Sequence, residues 1–137
     1  MEPITLKIRI LEPIEKVWNY YTMPEHIVNW NFASDEWSCP KATSDFNIGG
    51  KFNYRMEAKD ASFGFDFSGV FEEIVPLQKL KMRLDDGRNV EVFFNKIDGE
   101  TTDITQTFDP EGQNPVEMQR ESWYKMLDNF HKYTENN

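Results

Sequence analysis

The chain has 137 residues, of which 39% are hydrophobic and 15% aromatic, and it carries a formal net charge of −9. That length suits one domain around one core, and eleven Phe and four Trp supply the apolar area to build it. The acidic balance, without any cluster of Lys and Arg, argues against nucleic acid and anionic membrane surfaces as partners.

Met1 to Ile10 lacks the pattern of a secretory leader, and no run approaches membrane-spanning length, so a cytoplasmic protein without membrane insertion is expected. Within this segment Ile4, Leu6, Ile8 and Ile10 alternate with polar residues, the period of a strand with one buried face. Glu12-Pro13 opens a short helix, with Pro13 in its first turn and Val17, Trp18 and Tyr21 on a common face. Thr22-Met23-Pro24-Glu25 reads as a capping box, Thr22 as N-cap, starting a second helix that carries Ile27 and Trp30. From Asn31 to Asn47 the pattern is irregular, with a short strand expected over Asp35 to Ser38. Cys39, the only cysteine, excludes an internal disulfide and reads as a small packing residue. Gly49-Gly50 lacks a phosphate-loop pattern and reads as a tight lead-in to the strand at Lys51.

From Lys51 the chain reads as a meander whose loops can be tested against the buried face they must preserve. Phe52, Tyr54 and Met56 form one inward set, and Phe63, Phe65, Phe67, Gly69 and Phe71 the next. An even position must then pair with an odd one, which a two-residue turn at Lys59-Asp60 achieves. Leu80, Met82 and Leu84 switch parity again, across a turn containing Val75-Pro76. Val90, Val92 and Phe94, then Ile104, Gln106 and Phe108, stay even, so Asp85-Asp86-Gly87 and Ile97-Asp98-Gly99 are expected as three-residue hairpin loops with a left-handed glycine third. Asn114 is placed to cap a final helix with Pro115 at its first position, running to about Tyr133 with Trp123, Leu127 and Phe130 on its apolar stripe and Met126 beside it. Only the polar tail Thr134 to Asn137 is expected to be disordered. No repeat or linker interrupts the chain, so residues 1–137 read as one domain.

The order β-α-α-β(6)-α is an α+β arrangement, in which a curved antiparallel sheet wraps around the long C-terminal helix. Four stretches in this order resemble the SRPBCC, or START-like, superfamily, also called helix-grip. They are Pro13 to Trp18 with Pro24 to Ile27 and Trp30; Asp45 to Phe52; Gly69 to Pro76 with Leu80; and Trp123 with Leu127. The subgroup they resemble most is similar to the C-terminal domain of the activator of the ninety-kilodalton heat-shock chaperone's ATPase. Ser122 departs from the pattern, standing where members often have Gly before the Trp. The resemblance implies a helix-grip fold that leaves a cavity, while known members range from lipid carriers and cyclases to co-chaperone domains.

The residues expected to line that cavity are Trp30, Phe52, Tyr54, Met56 and Phe65, followed by Phe67, Phe71, Leu80, Met82 and Val92. Phe94, Ile104, Gln106, Trp123 and Leu127 complete the set. Tyr54 and Gln106 are its polar handles, suited to orient a mainly apolar ligand. Strand parity sends Arg55, Asp66, Lys81, Glu91 and Asp103 outward, leaving Arg120 or Glu121 as the only charged candidates at the mouth, so no catalytic residue is assigned. A bulge near Gly69 is the one route by which Asp66 turns inward. His26 and His131 lack metal-ligand spacing, and neither a metal nor a cofactor is expected. Three readings follow: a binder of a small hydrophobic or amphipathic molecule, a chaperone-interacting module, and a cyclase- or hydrolase-type enzyme, as monomer or homodimer.

Overall fold

The computed structural model describes residues 2–137. Its elements run β1 (Ile4–Ile10), α1 (Ile14–Thr22), α2 (Pro24–Ile27), β2 (Trp37–Ser44), β3 (Lys51–Ala58), β4 (Gly64–Val75), β5 (Lys79–Leu84), β6 (Asn89–Asp98), β7 (Thr101–Phe108) and α3 (Val116–Asn136). The strands form one antiparallel sheet in the order β1-β7-β6-β5-β4-β3-β2. Only the crossing from β1 to β2 spans the sheet, and α1 and α2 lie along it. The inward set is continuous from strand to strand, as in Leu6↔Gln106↔Val92↔Leu80 and Phe71↔Met82↔Val90↔Phe108. The architecture is the α+β helix-grip order expected from the sequence.

The buried face is as expected apart from Phe63 and Phe65, which are exposed, but it is preserved by other devices than those anticipated. Between β3 and β4 the pairing Tyr54↔Phe67 requires a four-residue loop, Lys59 to Ser62, in place of a two-residue turn. Asp60 supports this loop by accepting the Ser62 amide at 2.9 Å, and Ala61 adopts φ 63°. The next parity switch lies inside β4: the register shifts between Phe71 and Glu73, so Ile74 beyond the bulge faces the same way as Leu80. Asp85-Asp86-Gly87 forms the expected loop, with Gly87 at φ 91°. In the last hairpin β6 continues to Asp98, a bulge at Ile97 absorbs one residue, and Gly99-Glu100 makes the turn without a left-handed glycine.

Helix starts are shifted by one or two residues. Thr22 is the last residue of α1, and its hydroxyl donates to the Trp18 carbonyl at 2.8 Å, so it does not cap α2. Met23 takes that position in extended backbone, as the following Pro24 demands. The single turn of α2 leaves Trp30 beyond it, fixed by its indole N–H on the Tyr20 carbonyl at 3.0 Å. Pro13 and Pro115 stand at the N-caps of α1 and α3 rather than in their first turns, and Asn114 caps nothing with its side chain. Strand β2 is longer than expected and runs through Pro40, which an edge strand tolerates where its register slips between Ser38 and Lys41.

The C-terminal tail is ordered. Thr134 is fully buried, the Glu135 carboxylate accepts the Leu11 amide at 2.8 Å, and the Tyr20 hydroxyl donates to the Asn137 carbonyl. At the start of β3, Gly49 has φ 85°, and a Cβ on Gly50 would stand 2.0 Å from the Asp45 carbonyl oxygen. Gly50→Ala is therefore expected to lower stability by about 2–3 kcal/mol, against less than about 0.5 for Gly112→Ala, whose Cβ meets open space, as measured by urea unfolding.

Candidate ligand site

The space beneath α3 is set by stacking. Trp123 lies flat on Phe108, with centroids 3.9 Å apart and planes at 9°, and presents its edge to Phe67. Tyr21, Trp30 and Phe130 close the deep end, their centroids 4.8 to 5.3 Å apart. What remains is a pit of about 40 Å³, enough for water or a small polar group, where a ligand-sized enclosed chamber was expected. Side chains fill the rest.

The larger space adjoins it on the β2–β4 side. A groove of about 430 Å³ runs between the first half of α3, the open ends of β3 and β4, and the segment from Asn31 to Trp37. This falls within the range of about 300–1,000 Å³ typical of small-molecule sites. Its apolar walls include Trp37, Met56, Phe65, Met118 and Met126. Asn31, Phe67, Trp123 and Met126 line both spaces, so the pit is the inner end of the groove.

The expected cavity residues separate accordingly. Trp30, Tyr54, Phe71, Leu80, Met82, Gln106 and Leu127 face the pit, Met56 and Phe65 face the groove, and Phe67 and Trp123 face both. Phe52, Val92, Phe94 and Ile104 line neither; they are buried in the packed core. Phe65 is 42% exposed and Phe63 61%, because both extend past the reach of α3 and pack against Trp37 instead. Arg120 and Glu121 lie on the opposite side of α3 from the groove, beside Leu6 and Tyr124.

Two groove residues had no sequence signal. Buried Asn31 donates its amide to the Met56 sulfur at 3.4 Å, leaving its carbonyl oxygen beside both spaces. Buried Gln119 accepts the Glu111 amide at 2.8 Å and donates to the carbonyls of Glu111 and Asn114, tying the loop before α3 to the helix. A signal was present for others: Met118, Ser122 and Met126 recur every four residues on α3, a second stripe beside that of Trp123, Leu127 and Phe130.

Among the described residues no charged side chain lines the pit. Burial pushes the Tyr21 and Tyr54 hydroxyls well above the ordinary tyrosine range, so both stay protonated. Tyr21 donates to the Gln106 side-chain oxygen at 3.3 Å. At the rim, Arg88 is held by Asp86 at 2.7 Å, and backbone amides of Gln113 and Asn114 hold the Glu111 carboxyl below its usual range. Cys39 is buried, and burial raises its thiol pKa. His26 stacks on Tyr20 and bonds the Tyr133 hydroxyl at 2.8 Å, while His131 faces Glu135. Among the described residues no group of three His, Cys, Asp or Glu is placed to hold a metal ion, and no helix is long and apolar enough to cross a membrane.

The outer sheet face carries the charges. Arg55 pairs with Glu57 and Asp66, Lys79 with Glu73 and Glu91, and Lys81 and Arg83 with Glu72, whose neighbouring bulge leaves Asp66 outward. Asp103 faces outward yet its side chain is only 4% exposed, covered by Lys7 and gripped by Arg9 through bonds of 2.8 and 3.1 Å. These contacts hold the Asp103 carboxyl below the usual carboxylate range. Its stabilising contribution is thus present above the unfolded value of about 3.9 and is lost as pH falls through the depressed folded value. Asp103→Asn is expected to lower the thermal midpoint at pH 7, with the gap to wild type closing below about pH 4. Gln119→Leu is expected to cost roughly 1–3 kcal/mol and to speed hydrogen exchange at the Glu111 amide by at least tenfold.

Residues 12–135 match the family described as "Activator of Hsp90 ATPase homolog 1-like protein". Among solved structures, the AHSA1-like protein from Aeromonas hydrophila is 37% identical, with a TM-score of 0.87 over 97% of this chain and 93% of that one. A protein from Cytophaga hutchinsonii is 42% identical, with a TM-score of 0.84 over 98% and 92% of the two chains. A protein from Nitrosomonas europaea shares the fold at 17% identity, with a TM-score of 0.83 over 98% and 95%. No curated protein matches the sequence. A match across nearly the whole chain, joined to the same fold in relatives above a third identical, places this protein in the activator of Hsp90 ATPase homolog 1-like family.

Proposed function

We propose that the protein binds a small, mainly apolar molecule in the groove between α3 and the open ends of β3 and β4. The observation that carries this reading is the groove itself: about 430 Å³, walled by Trp37, Met56, Phe65, Met118, Trp123 and Met126, and ending on a pit edged by Tyr54 and Gln106. Apolar walls supply affinity in proportion to the area they remove from water, and a few polar groups at one end fix orientation. Methionines suit such a wall because their unbranched side chains adapt to the shape of the occupant.

Ser122 offers a direct test, since it is exposed and lines the groove without supporting the core. Ser122→Trp should fill the space and abolish retention of small molecules seen by native mass spectrometry of the protein from its source organism. The thermal midpoint should stay within about 3 °C of wild type, as for other surface substitutions. Retention by the variant equal to wild type overturns the reading.

A second reading, docking to a heat-shock chaperone, is favoured by the family match. It places the exposed apolar side chains of Phe63, Phe65 and Met118 against a protein partner instead of at the rim of a ligand site. Nucleotide-dependent capture of a purified Hsp90-type chaperone, lost in Phe63→Ser, supports it; binding that ignores both nucleotide and Phe63 refutes it.

A further inference from the structure

The pit at the inner end of the groove has a chemistry of its own. Tyr54, Gln106 and Asn31 are each more than nine-tenths buried, at 8%, 5% and 5% exposure, and all three line it. Tyr21 occupies one end of the Gln106 amide, and the Met56 sulfur takes the Asn31 N–H, so each side chain has its other polar end unspent. The Tyr54 hydroxyl, kept protonated by burial, makes no protein hydrogen bond among the described residues. Among the described residues the polar atoms sealed off without a partner lie elsewhere, at Ser44, Glu72, Asn89 and Thr134, so these free ends open on the pit. Three of them around a space of about 40 Å³ mark the place of a polar atom or two.

We infer that the pit selects a neutral oxygen-bearing head group, a hydroxyl or a carbonyl, on a ligand whose apolar body lies in the groove. This rests on the groove being the ligand site. A hydroxyl satisfies a donor and an acceptor at once, and a carbonyl accepts from the Tyr54 hydroxyl. A carboxylate or ammonium would enter a space lined by no opposite charge, and the desolvation of an unpaired ion opposes that strongly. Arg88 at the groove rim does not alter this, being held by Asp86 at 2.7 Å. The net charge of −9 attracts cations from a distance, so rejection of an ammonium head reports on the pit rather than on the global field.

The test is a probe series of one chain length, 1-decanol, 2-decanone, decanoate and decylammonium, titrated at pH 7 in 0.5 M salt to screen long-range charge and followed by tryptophan fluorescence. Decanol and decanone should bind at least tenfold tighter than either ion. In Tyr54→Phe and, separately, Gln106→Met, the ratio should fall at least threefold while decanoate affinity stays unchanged. All four probes binding within threefold of one another, or an ion binding tightest, overturns the inference and leaves the groove as a ligand site. No binding by any probe overturns the groove reading and this one with it. Ratios unchanged in both variants also overturn the inference, because the preference then arises outside the pit.

Discussion

One helix has to cover a seven-stranded sheet, and that mismatch shapes the molecule. A helix of 21 residues is about 31 Å long and about 10 Å wide. Seven strands span about 29 Å, and each is several residues longer than a helix is wide. Helix α3 therefore covers a strip. It runs beside β1 from Leu6 onward, and in its C-terminal part Leu127, Phe130 and Thr134 are buried and Tyr133 is tied to His26. Its first half leaves the ends of β3 and β4 uncovered, where Phe63 and Phe65 stay exposed. The groove is the uncovered remainder of the inner face.

The buried face of the sheet was legible because burial constrains it strongly. Moving a strand by one residue would drive Phe52 or Leu80 into solvent at roughly 1.5–3 kcal/mol for each side chain displaced. Nothing comparable fixes where an odd residue is absorbed. Bulges at Glu72 and Ile97 and a four-residue loop from Lys59 satisfy the same parity as the expected turns would, so the alternation was legible, exposed Phe63 and Phe65 apart, while three of the four turns differ. Caps were ambiguous for a similar reason. Thr22 can serve the end of one helix or the start of the next, and here its hydroxyl serves the first by donating to the Trp18 carbonyl.

The candidate site was less legible, because inward orientation does not distinguish a filled position from a hollow one. Phe94 and Phe67 both point inward; Trp18 and Tyr21 pack on the first, while the second borders open volume. That difference depends on Trp123 meeting Phe108 across the fold, a contact between two rings that no local spacing encodes. Asn31 and Gln119 escaped because a polar residue near a loop ordinarily reads as solvated. Their roles depend on burial, which the chain acquires only when α3 closes over it.

The division between the packed and open halves also bears on how a ligand site is maintained. On the β1 side, ion pairs outside the sheet reinforce a dry aromatic core inside it, with Arg9 and Asp103 joining β1 to β7 directly behind Ile8 and Ile104. On the β2 side the walls are methionines and exposed aromatics, and Gln119 anchors the adjoining loop through backbone bonds. Rigid support behind an adaptable wall is the arrangement in which an apolar occupant can be exchanged without disturbing the fold, since the apolar groove walls other than Met56 lie outside the fully buried core. Selectivity then cannot come from the compliant wall. It has to come from the inner end, where Trp123 is fixed against Phe108, Tyr21 holds Gln106, Asn31 is bonded to the Met56 sulfur and Tyr54 lines the same pit.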